Sequence, residues 1–180
     1  QLEDGGQVDV PRAFLLMLWG LAKKMIVADR ALPMVSAVFD APDGTWGGAM
    51  AVVGVLAYSV QQYCDFSGGI DLVAGIAELF GIRLAENFRQ PFFADSASDF
   101  WRRWHITLGT WLKDYIFYPV SLAKPVKKIA KKVKGTFGLS VSKFVAPSIA
   151  LFFVWLGNGI WHGAGWTYLF YGMYYFVLIF

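Results

Sequence analysis

The chain has two histidines, and each stands where an imidazole could do chemistry: Trp101-Arg102-Arg103-Trp104-His105-Ile106-Thr107-Leu108 and Trp161-His162-Gly163-Ala164. His162 is the sharper signal. It interrupts an uncharged run from Phe144 to Phe180, so it is expected at a depth where the surroundings are hydrocarbon or tightly packed protein. Ionisable groups are costly there and are read by default as functional. Desolvation keeps such an imidazole neutral, the form required for general-base catalysis or for attack on an acyl carbon. The alternative is a hydrogen-bonded structural histidine. No metal is expected: the histidines are 57 positions apart, Cys64 is the single cysteine, and no paired-ligand spacing occurs.

The segments that must position these residues belong to a membrane protein. The chain is 57% hydrophobic and 18% aromatic, with 16% charged residues, well short of the roughly 25% charge usual in soluble domains. Charge is also unevenly spread. Residues 1–82 carry four Lys/Arg against nine acids, residues 83–143 carry twelve against four, and 144–180 carry none. The seven lysines between Lys124 and Lys143 face no acid, which puts the basic loop 124–143 on the cytoplasmic side. In so apolar a chain, a lysine cluster points to a lipid bilayer rather than to nucleic acid. With no initiator Met, no signal-peptide pattern and an apolar C-terminal run, residues 1–180 read as an internal piece of one longer membrane domain.

Apolar length suggests the elements. Val10 to Val27 reads as a tilted or interfacial helix whose Lys23 and Lys24 snorkel to headgroups. Gly44 to Cys64 is uncharged and reads as the cleanest span, since about 20 residues cross a ~30 Å hydrocarbon core. Phe144 to Phe180 is long enough for two helices, with glycines 157, 159, 163 and 165 offering a break around His162. Phe66 to Ile82 and Asn87 to Val120 mix polar and aromatic residues, and read as short, partly re-entrant helices around a polar cavity. Ser98 or Asp95 would cap a helix from Trp101 to Trp111, on which Trp101, His105 and Gly109 share a face. In Lys124 to Phe137, Val126, Ile129, Val133 and Phe137 form one apolar stripe with lysines covering much of the rest. That pattern is a basic amphipathic helix, either a leaflet anchor or a docking surface for an acidic carrier protein.

Five motifs in order carry a resemblance: Tyr63-Cys64-Asp65-Phe66-Ser67-Gly68; Glu86-Asn87-Phe88 with Pro91-Phe92; Phe100 through Leu108; Trp111 with Asp114-Tyr115; and Trp161-His162-Gly163-Ala164. From about residue 12 onward the chain resembles the membrane-bound O-acyltransferases. The likeness is to the bacterial branch that holds alginate O-acetylases, peptidoglycan O-acetyltransferases and teichoic acid D-alanyl transferases. It implies an all-α polytopic fold of transmembrane and re-entrant helices around a central funnel, in a bacterial cytoplasmic membrane.

The implied activity is transfer of an acetyl or D-alanyl group from a cytoplasmic thioester to a hydroxyl of a cell-envelope polysaccharide or polymer, directly or through an extracytoplasmic partner. The donor would be acyl-CoA or the phosphopantetheine thioester of an acyl carrier protein, a substrate rather than a bound cofactor. His162 matches the family's catalytic histidine and His105 its second motif histidine. Trp101, Arg102, Arg103, Trp104, Asn87, Asp65, Asp114, Tyr115 and Trp161 match motif positions that could hold donor or substrate, or could serve as pairing and packing groups. Gly69, Lys113 and the run Pro119-Val120-Ser121 depart from the alginate-type pattern, which leaves acyl group and acceptor open. Two rival readings remain from the residues alone: a transporter or channel lined by Asp65, Asp71, Glu78 and His162, and a non-catalytic assembly subunit.

Overall fold

A computed structural model describes residues 8–42 and 44–179. Their regular structure is helical, with an isolated bridge between Phe88 and Trp104 outside the helices, as the all-α reading expects. Phe180, where the expected uncharged run ends, lies outside the described residues. The chain forms two compact units, Gln1–Asn87 and Phe88–Phe180.

In the first unit, α1 (Val10–Ala22) starts on Asp9, whose carboxylate accepts a hydrogen bond from the backbone N–H of Arg12 at 3.0 Å. Pro11 occupies the first turn, where its missing N–H has no helical partner to lose. A π-helical turn, Lys23–Ala28, leads into α2 (Asp29–Phe39), and all three pack on the 32-residue α3 (Gly48–Leu79). The α1–α3 crossing depends on glycine. A Cβ on Gly20 would sit 2.5 Å from the Gly68 carbonyl oxygen, so only hydrogen at this position lets the backbones approach so closely.

Three expectations are corrected in this unit. Lys23 and Lys24 do not snorkel. The Lys23 ammonium lies 2.6 Å from Asp71 with its side chain 11% exposed, and donates to Ser67 Oγ at 3.0 Å. Lys24 lies 2.6 Å from Asp65 and 3.0 Å from Asp29. The facing helix supplies carboxylates, and the wider π turn aims both neighbouring lysines at it. Phe66 to Ile82 is not a short re-entrant piece but largely the second half of α3. Its polar groups are satisfied along the helix flank, the nearly buried Glu78 by Arg83 at 3.2 Å. Finally, the expected 44–64 span is the first part of α3, yet the helix long and apolar enough to cross a membrane, among the described residues, is Lys124–His162. Gln61 and Gln62, with Asp65 beyond them, dilute the apolar run of α3.

In the second unit the chain turns at Gln90 into a 3₁₀ turn, Pro91–Phe93. The short helices expected between 87 and 120 follow: α4 (Ala97–Arg103), α5 (Ile106–Leu112), a π turn (Lys113–Phe117) and α6 (Tyr118–Leu122). The cap of α4 is Ser96, not Ser98 or Asp95; its Oγ accepts from the Asp99 N–H at 3.1 Å. No single helix joins Trp101 to Trp111. Arg89 N–H donates to the Arg103 carbonyl at 2.9 Å and Trp104 bridges to Phe88, which draws the chain out of the helix. His105 therefore stands at a break, in left-handed backbone (φ 46°), and does not share a helical face with Trp101 and Gly109.

The chain then enters α7 (Lys124–His162), which is interrupted at Gly138 by non-helical backbone, and returns as α8 (Trp166–Ile179). The two-helix reading of the C-terminal run thus holds, with the turn at residues 163–165. Gly159 and Gly172 let α7 and α8 meet backbone to backbone; a Cβ on Gly159 would come within 2.6 Å of the Tyr168 carbonyl oxygen.

Candidate active site

His162 is the last residue of α7, fixed at the tip of the α7–α8 hairpin. Its ring lies 4.9 Å from that of Trp161, 5.4 Å from Tyr171 and 6.2 Å from Tyr168, the last nearly parallel. Among the described residues its side chain is exposed. His105 approaches the same place from the α4–α5 break, its ring 6.2 Å from Trp161. One indole thus touches both histidines of the chain. Burial, with His162 nearby, pulls the His105 pKa below the ordinary histidine value, so its imidazole is neutral at physiological pH.

Behind the histidines is an aromatic wall. Trp101 packs edge-on against Trp155 (5.1 Å) and Tyr175 (4.9 Å), and Tyr175 against Tyr171, which reaches His162. The Trp101 indole N–H is buried without a hydrogen-bond partner among the described residues, so it is a donor available to a bound group. Trp104 extends this wall through Phe100, which meets Trp101 edge-on at 5.2 Å and stacks on Trp104 at 5.6 Å; Trp104 in turn is edge-on to Phe88 at 5.0 Å. Arg103 is tied to Asp99 at 2.7 Å, while Arg102, 3.8 Å from the same carboxylate, keeps 74% of its side chain exposed.

The other motif residues are held as follows. Asp65 and Asn87 lie in the first unit, Asp65 paired with Lys24 and Asn87 nearly buried, its amide donating to the Ala85 carbonyl at 3.3 Å. Asp114 and Tyr115 are exposed on the π turn, with Tyr115 stacked on Trp111 at 5.3 Å. Among the described residues no three His, Cys, Asp or Glu side chains gather as metal ligands.

Sequence reasoning missed Tyr168, Tyr171 and Tyr175, although their spacing of three and four residues is the signature of one helical face. It also missed Asn158, one turn before His162 and only 4% exposed. This amide is the one polar side chain in an apolar groove of about 460 Å³ walled by Leu108, Trp111, Leu112, Ile116, Ile160 and Trp161.

The site is thus helical, with both histidines around one tryptophan at the end of a helix long and apolar enough to cross a membrane. The sequence model of the membrane-bound O-acyltransferase family matches residues 12–180, and the chain belongs to that family. It is 37% identical over 153 residues to the probable alginate O-acetylase of Azotobacter vinelandii, covering 85% of this chain and 27% of that protein. It is 36% identical to the peptidoglycan O-acetyltransferase of Helicobacter pylori, covering 86% of this chain and 26% of that protein. To the teichoic acid D-alanyltransferase of Bacillus subtilis it is 32% identical, over 68% of this chain and 28% of that protein. The chain therefore spans about a quarter of the length of the curated relatives it matches.

Proposed function

We propose that the full-length protein is an O-acyltransferase of a bacterial cytoplasmic membrane, crossing it several times. It moves an acyl group from a cytoplasmic thioester, acyl-CoA or an acylated carrier protein, toward a hydroxyl of a cell-envelope polysaccharide, with an extracytoplasmic partner or acceptor receiving it. Acetyl is the favoured group: the two O-acetyl-transferring relatives match at higher identity and over more of the chain than the D-alanyl one.

The observation that carries this reading is the convergence of His162 and His105 on Trp161. In the proposed step the neutral His162 takes the proton of the acceptor hydroxyl as its oxygen attacks the thioester carbonyl carbon. The C–S bond then breaks, and the thiolate leaves with a proton returned by the imidazolium. His105, neutral and nearer Arg102 and Arg103 in sequence, serves donor engagement. The free indole N–H of Trp101 is a donor for a carbonyl oxygen, and the exposed guanidinium of Arg102 suits a phosphate-bearing arm. Asp65, Asp71 and Glu78, which the transport reading would use, are each paired with a cation of the same unit, and this favours the acyltransferase reading.

The test is transfer of label from acetyl thioester to polysaccharide hydroxyls by full-length protein in proteoliposomes. We expect turnover with acetyl donors and little with D-alanyl donors; the reverse order would reassign the acyl group, and thioester binding without transfer would favour an assembly role.

A further inference from the structure

The basic segment that opens α7 is not used by the proposed reaction, and its geometry has a consequence of its own. From Lys124 to Phe137 the helix separates two faces. Val126, Ile129, Val133 and Phe137 fall on one stripe, while Lys124, Lys128 and Lys131 fall opposite and Lys127, Lys132 and Lys134 on the flanks. One end of the stripe is anchored: Val126 is 7% exposed, where α7 packs on α6. The other end is open, with Phe137 68% exposed. The segment then stops at Gly138, whose φ of 84° and ψ of 177° are accessible to glycine and strained for any residue with a Cβ.

Beyond Gly138 the character of the helix changes. Residues 139–162 hold Lys143 and no acid, and at about 1.5 Å per residue they extend roughly 36 Å, enough for a ~30 Å hydrocarbon core. Lys143 follows Gly138 by five residues, about 7–8 Å along the axis, within reach of the interface for a long ammonium side chain. Gly138 is therefore the joint between a segment suited to crossing the membrane and an amphipathic, purely cationic one. A stripe with an exposed phenylalanine and a lysine face with no neighbouring acid match the acyl boundary and the anionic headgroups of a leaflet, respectively.

We infer that residues 124–137 form a leaflet-docking element for anionic phospholipid headgroups, hinged at Gly138 and continuous with the membrane-crossing part of α7. The inference does not depend on the reaction proposed above.

The experiment uses full-length protein in nanodiscs of phosphatidylcholine with and without phosphatidylglycerol, and reads backbone hydrogen exchange across 124–137. Phosphatidylglycerol should slow exchange there by about tenfold or more, and high salt should weaken the effect. Lys124→Gln, Lys127→Gln, Lys128→Gln, Lys131→Gln, Lys132→Gln and Lys134→Gln together should abolish the lipid dependence while exchange across α8 stays unchanged, which shows that the fold survives. Gly138→Ala, whose Cβ would meet nothing within 4 Å, should reduce the lipid effect through backbone geometry alone. Equal exchange in both lipids, or retained lipid dependence in the six-lysine variant, would overturn the proposal. So would protection that arises only when an acidic carrier protein is added to phosphatidylcholine discs.

Discussion

Individual residues divide sharply into those whose surroundings were legible in the sequence and those whose surroundings were not. His162 was legible because an ionisable residue in a long uncharged run is conspicuous, and the family motif places it; its tyrosine neighbours Tyr168 and Tyr171 were not, since they come from α8 across the hairpin. Lys23 and Lys24 were misread because a sequence shows a lysine at the end of an apolar run but not the carboxylates facing it. That error makes a prediction. Lys23→Met leaves Asp71 without the cation 2.6 Å away, and should cost roughly 3 kcal/mol, toward the low end for breaking a buried pair because Asp71 keeps a quarter of its side chain exposed. Thermal unfolding of the full-length protein in detergent checks this: the single variant should melt earlier, and adding Asp71→Leu should restore much of the loss. His105→Ala is expected to keep some turnover that rises with donor concentration, because the role proposed for His105 is donor engagement rather than proton removal. Steady-state assays over a range of donor concentrations would show this, and a variant dead at saturating donor would move His105 into the chemistry.

At the level of elements, the hairpin of α7 and α8 and the amphipathic start of α7 followed directly from apolar length, glycine placement and the stripe at 126, 129, 133 and 137. The helix expected from Trp101 to Trp111 did not form, because the pairing of Phe88 with Trp104 is a contact between segments that no local pattern encodes. The same pairing is what turns His105 toward Trp161. The hairpin closes on glycine, since a side chain at Gly172 would collide with the Trp155 backbone carbonyl. Gly172→Val should therefore spread α7 from α8, cost about 1–3 kcal/mol by overpacking, and lower activity although residue 172 touches neither histidine ring. Lower thermal stability together with reduced transfer is the expected outcome; unchanged transfer would mean that the hairpin does not position His162.

For the whole molecule, the uneven charge predicts an orientation: with seven lysines and no acid between Lys124 and Lys143, that segment is expected on the cytoplasmic side. A cysteine at Ser140, in a variant whose Cys64 is replaced, should resist impermeant thiol reagents in intact cells and react once the membrane is opened. Labelling from outside would put the donor entrance on the wrong face. Family membership was visible in the order of five motifs, whereas the identity of acyl group and acceptor was not, because residues 1–180 span only about a quarter of the related proteins' length. The central claim is that His162 is the base for acyl transfer, and one measurement bears on it most directly: single-turnover transfer from a labelled acyl thioester to a hydroxyl acceptor by full-length protein carrying His162→Ala, inserted in membranes at the normal level. Loss of the base should slow the step by about 10²–10⁴-fold or more while thioester binding persists; transfer at the unsubstituted rate would contradict the account.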